Sequence, residues 1–239
     1  MRKMKSGFRF VSLLTLSAGL VGQFSTLYAQ TPSPPSPSPS PRLSETPRYS
    51  EQQMREMIGK LQERIGKATG EVMGRIRKEE DNLFLRFSYF RKPDRLNPVT
   101  YDSKEEVEQW RQSLQQMREK AEVVDKLYAN ADLDLGNALI QQRINQSIAD
   151  QIKKELLQSF PWDVIKKKGQ LMKEFIADFG DLLTFYDQNW GSWKADTAGA
   201  ASFDDPALAS GYQTLKDKLN LAGGQLENQY KLMMGSPPG

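Results

Sequence analysis

The side chains able to do chemistry in this chain are few in kind. It holds no histidine and no cysteine. Histidine is the usual general base near neutral pH and the commonest metal ligand. Cys/His zinc sites, Ser–His–Asp triads, Cys–His pairs and Glu-x-x-His di-iron centres are therefore excluded. Carboxylates, Lys, Tyr, Ser and Thr remain. Glu79 is the acid that stands out, because helical phase puts it inside an apolar stripe between Ile76 and Leu83. A buried carboxylate needs a partner or takes up a proton, and Arg75 and Arg86 flank it. The reading is an ion pair or a local widening of the helix packing. A glycan hydrolase would need a second acid about 5–10 Å away in a cleft, and spacing locates none. No catalytic residue, metal ligand or cofactor is expected.

Weaker motifs lead to the same place. Asp178–Gly180 spells DFG, but no glycine-rich loop or HRD accompanies it and its context is helical. Asn145 opens a glycosylation sequon inside a helical stretch. Ile165–Gly169 is a short basic run that reads as a solvated face.

The elements that carry these residues are helices. Met54, Ile58, Leu61, Ile65, Ala68, Val72, Ile76, Leu83, Phe87 and Phe90 recur at three and four. Residues 83–90 alternate in part, but without a partner strand they read as a helix end apolar all round. A proline-bearing loop leads to Ser103, which opens a capping box with Glu106. The seam from Val107 to Leu156 keeps its heptad phase across 129–137, where Asn, Asp and Gly cluster. A turn is expected there. Pro161 suits the first position of a helix reaching about Trp190. The stretch 191–205 reads as a loop. Asp205 caps a last helix with Pro206 at its first position, kinked at Gly223–Gly224. The fold class is all-α: a largely antiparallel, coiled-coil-like bundle of four or five long helices over residues 50–234, behind a disordered Pro/Ser linker.

Two groups of residues are candidate contact surfaces. Gly66, Gly70 and Gly74, with Gly59 a heptad earlier, lie opposite the apolar seam. Each costs the helix about 1 kcal/mol relative to alanine. They form either a second packing face, used by another helix, a second copy or a partner, or an exposed and weak helix start. Phe185, Tyr186, Trp190 and Trp193 form an aromatic stripe whose two tryptophans run on into a Gly/Ser loop. At helical spacing such a stripe is core; exposed, it would be a sticky patch.

Residues 1–29 have the layout of a secretory signal peptide: four basic residues, no acid, an apolar run and Ala29 before the cut. An uncleaved anchor is the alternative. Residues 30–49 form the linker, with seven of the 13 prolines between Pro32 and Pro47, and 235–239 a disordered tail. Counting from 33 basic and 30 acidic residues, removal of the four N-terminal basics leaves 29 against 30, a net charge of −1. That chain offers nucleic acid no global basic footprint. The expectation is an exported protein, periplasmic or extracellular, that is not an enzyme. Its role is structural or protein-interacting, with itself or an envelope protein as partner. Peripheral membrane contact through the aromatic helix ends is the alternative, and a carboxylate-dependent cell-wall hydrolase a remote one.

Overall fold

The computed structural model describes residues 49–233; the expected signal, the tail and nearly all of the linker lie outside them. The described chain is predominantly helical. Its α-helices are α1 (Glu51–Phe90), α2 (Lys104–Ala129), α3 (Ala131–Gln141), α4 (Gln146–Gln158), α5 (Trp162–Gln188) and α6 (Pro206–Met233), with a short hairpin, β1 (Trp193–Ala195) and β2 (Ala201–Phe203), between the last two.

Local chemistry sets the ends. Ser50 caps α1 in a full capping box with Gln53. Pro93 and Pro98 each open a 3-10 turn after α1. Tyr101 Oη donates to the Arg95 carbonyl at 3.0 Å, and Tyr212 Oη to that of Leu96 at 2.7 Å, so α6 pins this connection. Ser103 Oγ accepts from Glu106 N–H at 3.3 Å; the Glu106 carboxylate reaches back to Asp102 N–H, one residue before the cap. Asp205 caps α6, its side chain accepting from Ala207 N–H at 2.7 Å.

Side-chain partners give the helix directions. Glu79–Lys120 and Phe90–Trp110 set α1 against an antiparallel α2. Arg75–Asp134 and the Arg64 hydrogen bond to Gln142 O carry that line on through α3. Lys153–Asp132 folds α4 back on α3. Arg111–Asp187 and Lys173–Asp125 make α5 antiparallel to α2. Phe87–Phe175 and Phe90–Phe179 make it parallel to α1. Phe84–Tyr230 and Arg91–Glu227 return α6 antiparallel along α1. One continuous apolar core joins these helices.

Three expectations are corrected. The turn expected over 129–137 is helical apart from a break at Asn130: Ala131, Leu135, Ala138 and Leu139 are buried, and the apolar phase outweighs the Asn/Asp/Gly composition. The reversal falls at Gln142–Asn145, a Schellman close with Arg143 at φ 57° and bonds from Ile144 N–H to Leu139 O and Arg143 N–H to Ile140 O. Asn145 is the exposed N-cap of α4, not a residue within a helix. Residues 193–203 are a hairpin rather than a loop: Asp196 accepts from Ala198 and Ala200 N–H, and Gly199 takes φ 74° to close the turn. The expected break in composition at Gly223–Gly224 is spanned by helix: both residues are helical within α6.

Candidate functional site

The buried acid is Glu80, not its neighbour. Glu79 stays partly exposed at 19% and pairs with Lys120 at 3.1 Å. Glu80 is fully buried and ion-paired with Lys168 of α5, itself 1% exposed. The α1 surface is buried on a wider arc than one two-helix seam, because α2, α5 and α6 all pack on it, and that arc takes in Glu80. The Lys168 ammonium lies 5.3 Å from the Tyr128 ring centre and 5.7 Å from that of Tyr230, close enough for both rings to attract the cation. Burial pushes both phenols well above the ordinary tyrosine range, and the Glu80 charge beside them adds to it. Glu80 Oε2 and Tyr230 Oη form no hydrogen bond of standard geometry among the described residues.

Two shallow clefts open elsewhere. One, of about 440 Å³, is lined by Arg91, Asp94, Asn97, Tyr212, Lys216 and Asn220 among others. The other, of about 430 Å³, lies among Lys60, Glu63, Arg64, Lys67 and Gln142. Each holds a single acid, and neither reaches the Glu80 cluster. Asp178 of the DFG stretch is half-buried on α5. Burial raises its pKa, while Lys218 opposes the rise. Gly180 packs toward Leu114 on α2. The motif is a helical packing surface.

The aromatic stripe turns inward. Tyr186 is fully buried and has no surface to offer a partner. Phe185, Trp190 and Trp193 are partly buried against the core. They form a cluster with Phe203 of the hairpin and Tyr212 of α6, with Trp190–Trp193 at 5.2 Å and Phe203–Tyr212 at 5.2 Å between ring centres. The hairpin folds back to seat these rings. Phe87 and Phe90, at the other aromatic end, are buried too, leaving Leu85 and Tyr89 exposed. No helix among the described residues is long and apolar enough to cross a membrane.

Gly66, Gly70 and Gly74 are exposed, and a Cβ built on any of them, or on Gly59, meets nothing within 4 Å. No helix among the described residues packs on them, which removes the reading of a packing face used by another of these helices. The uncovered apolar surface lies on another arc of α1. Its first ten residues are all exposed. Met54 is 47% exposed, Met57 52% and Ile58 37%, while Leu61 and Ile65 slip partly under the core. The cover stops at the end of α3, where Arg64 meets the carbonyls of Gln142 and Arg143. Beyond that point α1 projects from Glu63 back to Glu51. At the rise of an α-helix that projection is roughly 20 Å long, and among the described residues nothing covers its seam.

Comparison of the chain with protein-family models, with curated proteins and with solved structures finds no match.

Proposed function

We propose that this is an exported, non-enzymatic helical interaction protein. In this reading residues 1–29 direct export, the Pro/Ser linker of 30–49 acts as a spacer, and the six helices form a largely antiparallel bundle. The projecting start of α1 is the surface offered to a protein. The observation that carries the reading is the seam of Met54 and Ile58, flanked by Met57, which is continuous with the core seam and exposed where the other described helices end. Full burial of such a side chain is worth about 1.5–3 kcal/mol, and these residues are about half exposed, so covering them would add roughly half of that each to an association. The Glu80–Lys168 pair is sealed from solvent and each of the two clefts holds one acid, so none of these three places offers the two acids in a cleft that the hydrolase alternative needs.

The test is photo-cross-linking in the producing cell, with a photoreactive residue at Met57 and a control at exposed Gln115 on α2. Ultraviolet-dependent protein adducts from position 57 and none from 115 are the expected result. No adduct at 57, or equal adducts at both, would refute it.

A further inference from the structure

We infer that the occupant of the α1 seam is a second copy of the same segment, running antiparallel. This rests on the reading of the seam as a protein-docking surface and names its partner. Within the chain, the seam of α1 is already covered by an antiparallel helical line, α2 and α3, that ends beside Arg64. An antiparallel α1 from another copy continues that line over the uncovered stretch.

Met54, Ile58, Leu61, Ile65, Ala68 and Val72 repeat strictly at four and three, the pattern of a helix–helix seam rather than of a flat surface. Reversing the segment on itself about residues 59–60 matches Met54 with the partner's Ile65 and Ile58 with the partner's Leu61. By two-fold symmetry the same layers recur, so four apolar layers close with no seam residue left over. The shoulders fit as well. Helical phase puts Arg55 on one flank and Arg64 on the other. In the antiparallel register Arg55 meets the partner's Gln62 and Arg64 the partner's Met57, so like charges are kept apart. Glu56 and Glu63 point to the solvent side of both helices. Shifting the register by one heptad, so that Leu61 meets Ile65, would set Arg64 against its own symmetry mate. The interface engages fewer residues than the roughly 20–30 a side of standard stable complexes, so the dimer has to be sought over a wide concentration range.

The experiment is sedimentation equilibrium on the purified exported chain over a wide concentration range, on the wild type and on Ile58→Glu. Because Ile58 is exposed, the variant should keep its helicity and urea midpoint. A wild-type dimer that weakens at least 100-fold in Ile58→Glu is expected. The absence of cysteine makes orientation testable with single-cysteine variants and a short bis-maleimide. Ile58→Cys, near the symmetry axis, should give a covalent dimer. Met54→Cys, displaced along the axis by about 16 Å from its mate, should not. A monomer at every concentration, a dimer untouched by Ile58→Glu, or linkage at both cysteines would overturn the inference. If the chain sediments as a monomer while position 57 cross-links to a different protein, the self-pairing fails and the interaction reading stands.

Discussion

The sharpest energetic statement concerns Glu80 and Lys168. At a hydrogen-bonding separation of about 3 Å and an effective dielectric of about 20, the two charges attract by roughly 5–6 kcal/mol. Their removal from water costs several kcal/mol for each ion. The net worth of the pair is therefore small, while the worth of each partner to the other is large. Lys168→Met leaves Glu80 fully buried with its carboxylate uncompensated, and Glu80→Met strands the ammonium between Tyr128 and Tyr230. Each single substitution should cost about 3–5 kcal/mol, whereas the double variant, two linear apolar chains of similar volume, should lie within about 1 kcal/mol of wild type or above it. With a urea slope of about 2 kcal/mol/M, the singles lower the midpoint by roughly 1.5–2.5 M and the double restores it. Equilibrium urea unfolding followed by far-ultraviolet circular dichroism reads all four proteins. Singles within about 1 kcal/mol of wild type would mean that water reaches the pair. A double variant as unstable as the sum of the singles would mean that the pair contributes net stability. Either result would refute the reasoning.

Three further outcomes are expected. Gly66→Ala, Gly70→Ala and Gly74→Ala each place a methyl group where nothing lies within 4 Å. Together they should raise stability by about 2–3 kcal/mol and leave any dimer unchanged; weakened self-association would return the interface to the glycine face. The adjacent glycines of α6 should differ in sign. Gly224→Ala gains up to about 1 kcal/mol, whereas Gly223→Ala loses about 1 kcal/mol or somewhat more in urea unfolding. The reason is that a Cβ at Gly223 would stand 2.6 Å from Arg91 Cδ and Nε and unseat that side chain from Glu227 and Asn220. In alkali, the folded chain holds Tyr101, Tyr128, Tyr186 and Tyr230 neutral well above the unfolded pKa of 10, and Tyr212 neutral up to about 12. A raised folded pKa stabilises fully below the unfolded value and is lost as pH rises through the folded one, so stability falls from about pH 10 upward. Absorbance at 295 nm should show these five of the eight tyrosines ionising well above pH 10 or with unfolding; ionisation of all eight near pH 10 with the fold intact would contradict their burial.

How much of this was legible follows from where a single physical signal decides. Helices α1, α2 and α6 have long apolar phases and side-chain caps, α5 has a long apolar phase that begins just after Pro161, and all four were readable. The reversal before α4 was not, because it closes through Arg143 in a left-handed conformation that glycine or asparagine usually occupies. The Asn/Asp/Gly cluster at 129–137 pointed to the wrong place, since four apolar side chains at helical spacing outweigh turn composition. The hairpin did leave a trace, a five-residue Asp-to-Ala turn with glycine next to last between short aromatic-bearing runs. The buried pair was half legible. Lys168 sits in phase between Ile165 and Met172, and Glu80 between Ile76 and Leu83, each a lone charge on an apolar face. Two opposite charges of that kind invite pairing, but which helices meet is tertiary information. The inward turn of Tyr186 and the end of the cover on α1 are of the same kind: both depend on where a neighbouring helix stops.

The projecting segment makes one more dynamic claim. It runs from Glu51 to Glu63, close to the length below which isolated helices are marginal in water. Gly59 weakens it by about 1 kcal/mol more. Its stability comes from continuity with the packed part of α1 and from whatever lies on its seam. In dilute solution the amides of 54–60 should exchange with local opening free energies near zero, while those of 72–87 should approach the global value. Raising the concentration past the dimer constant should protect 54–60 selectively, since only that stretch gains a new helix beside it. Hydrogen exchange read by mass spectrometry at two protein concentrations measures both effects. Equal protection of the two stretches at low concentration would show that the start of α1 is held by contacts of its own chain, and the seam would then have no vacancy for a partner to fill.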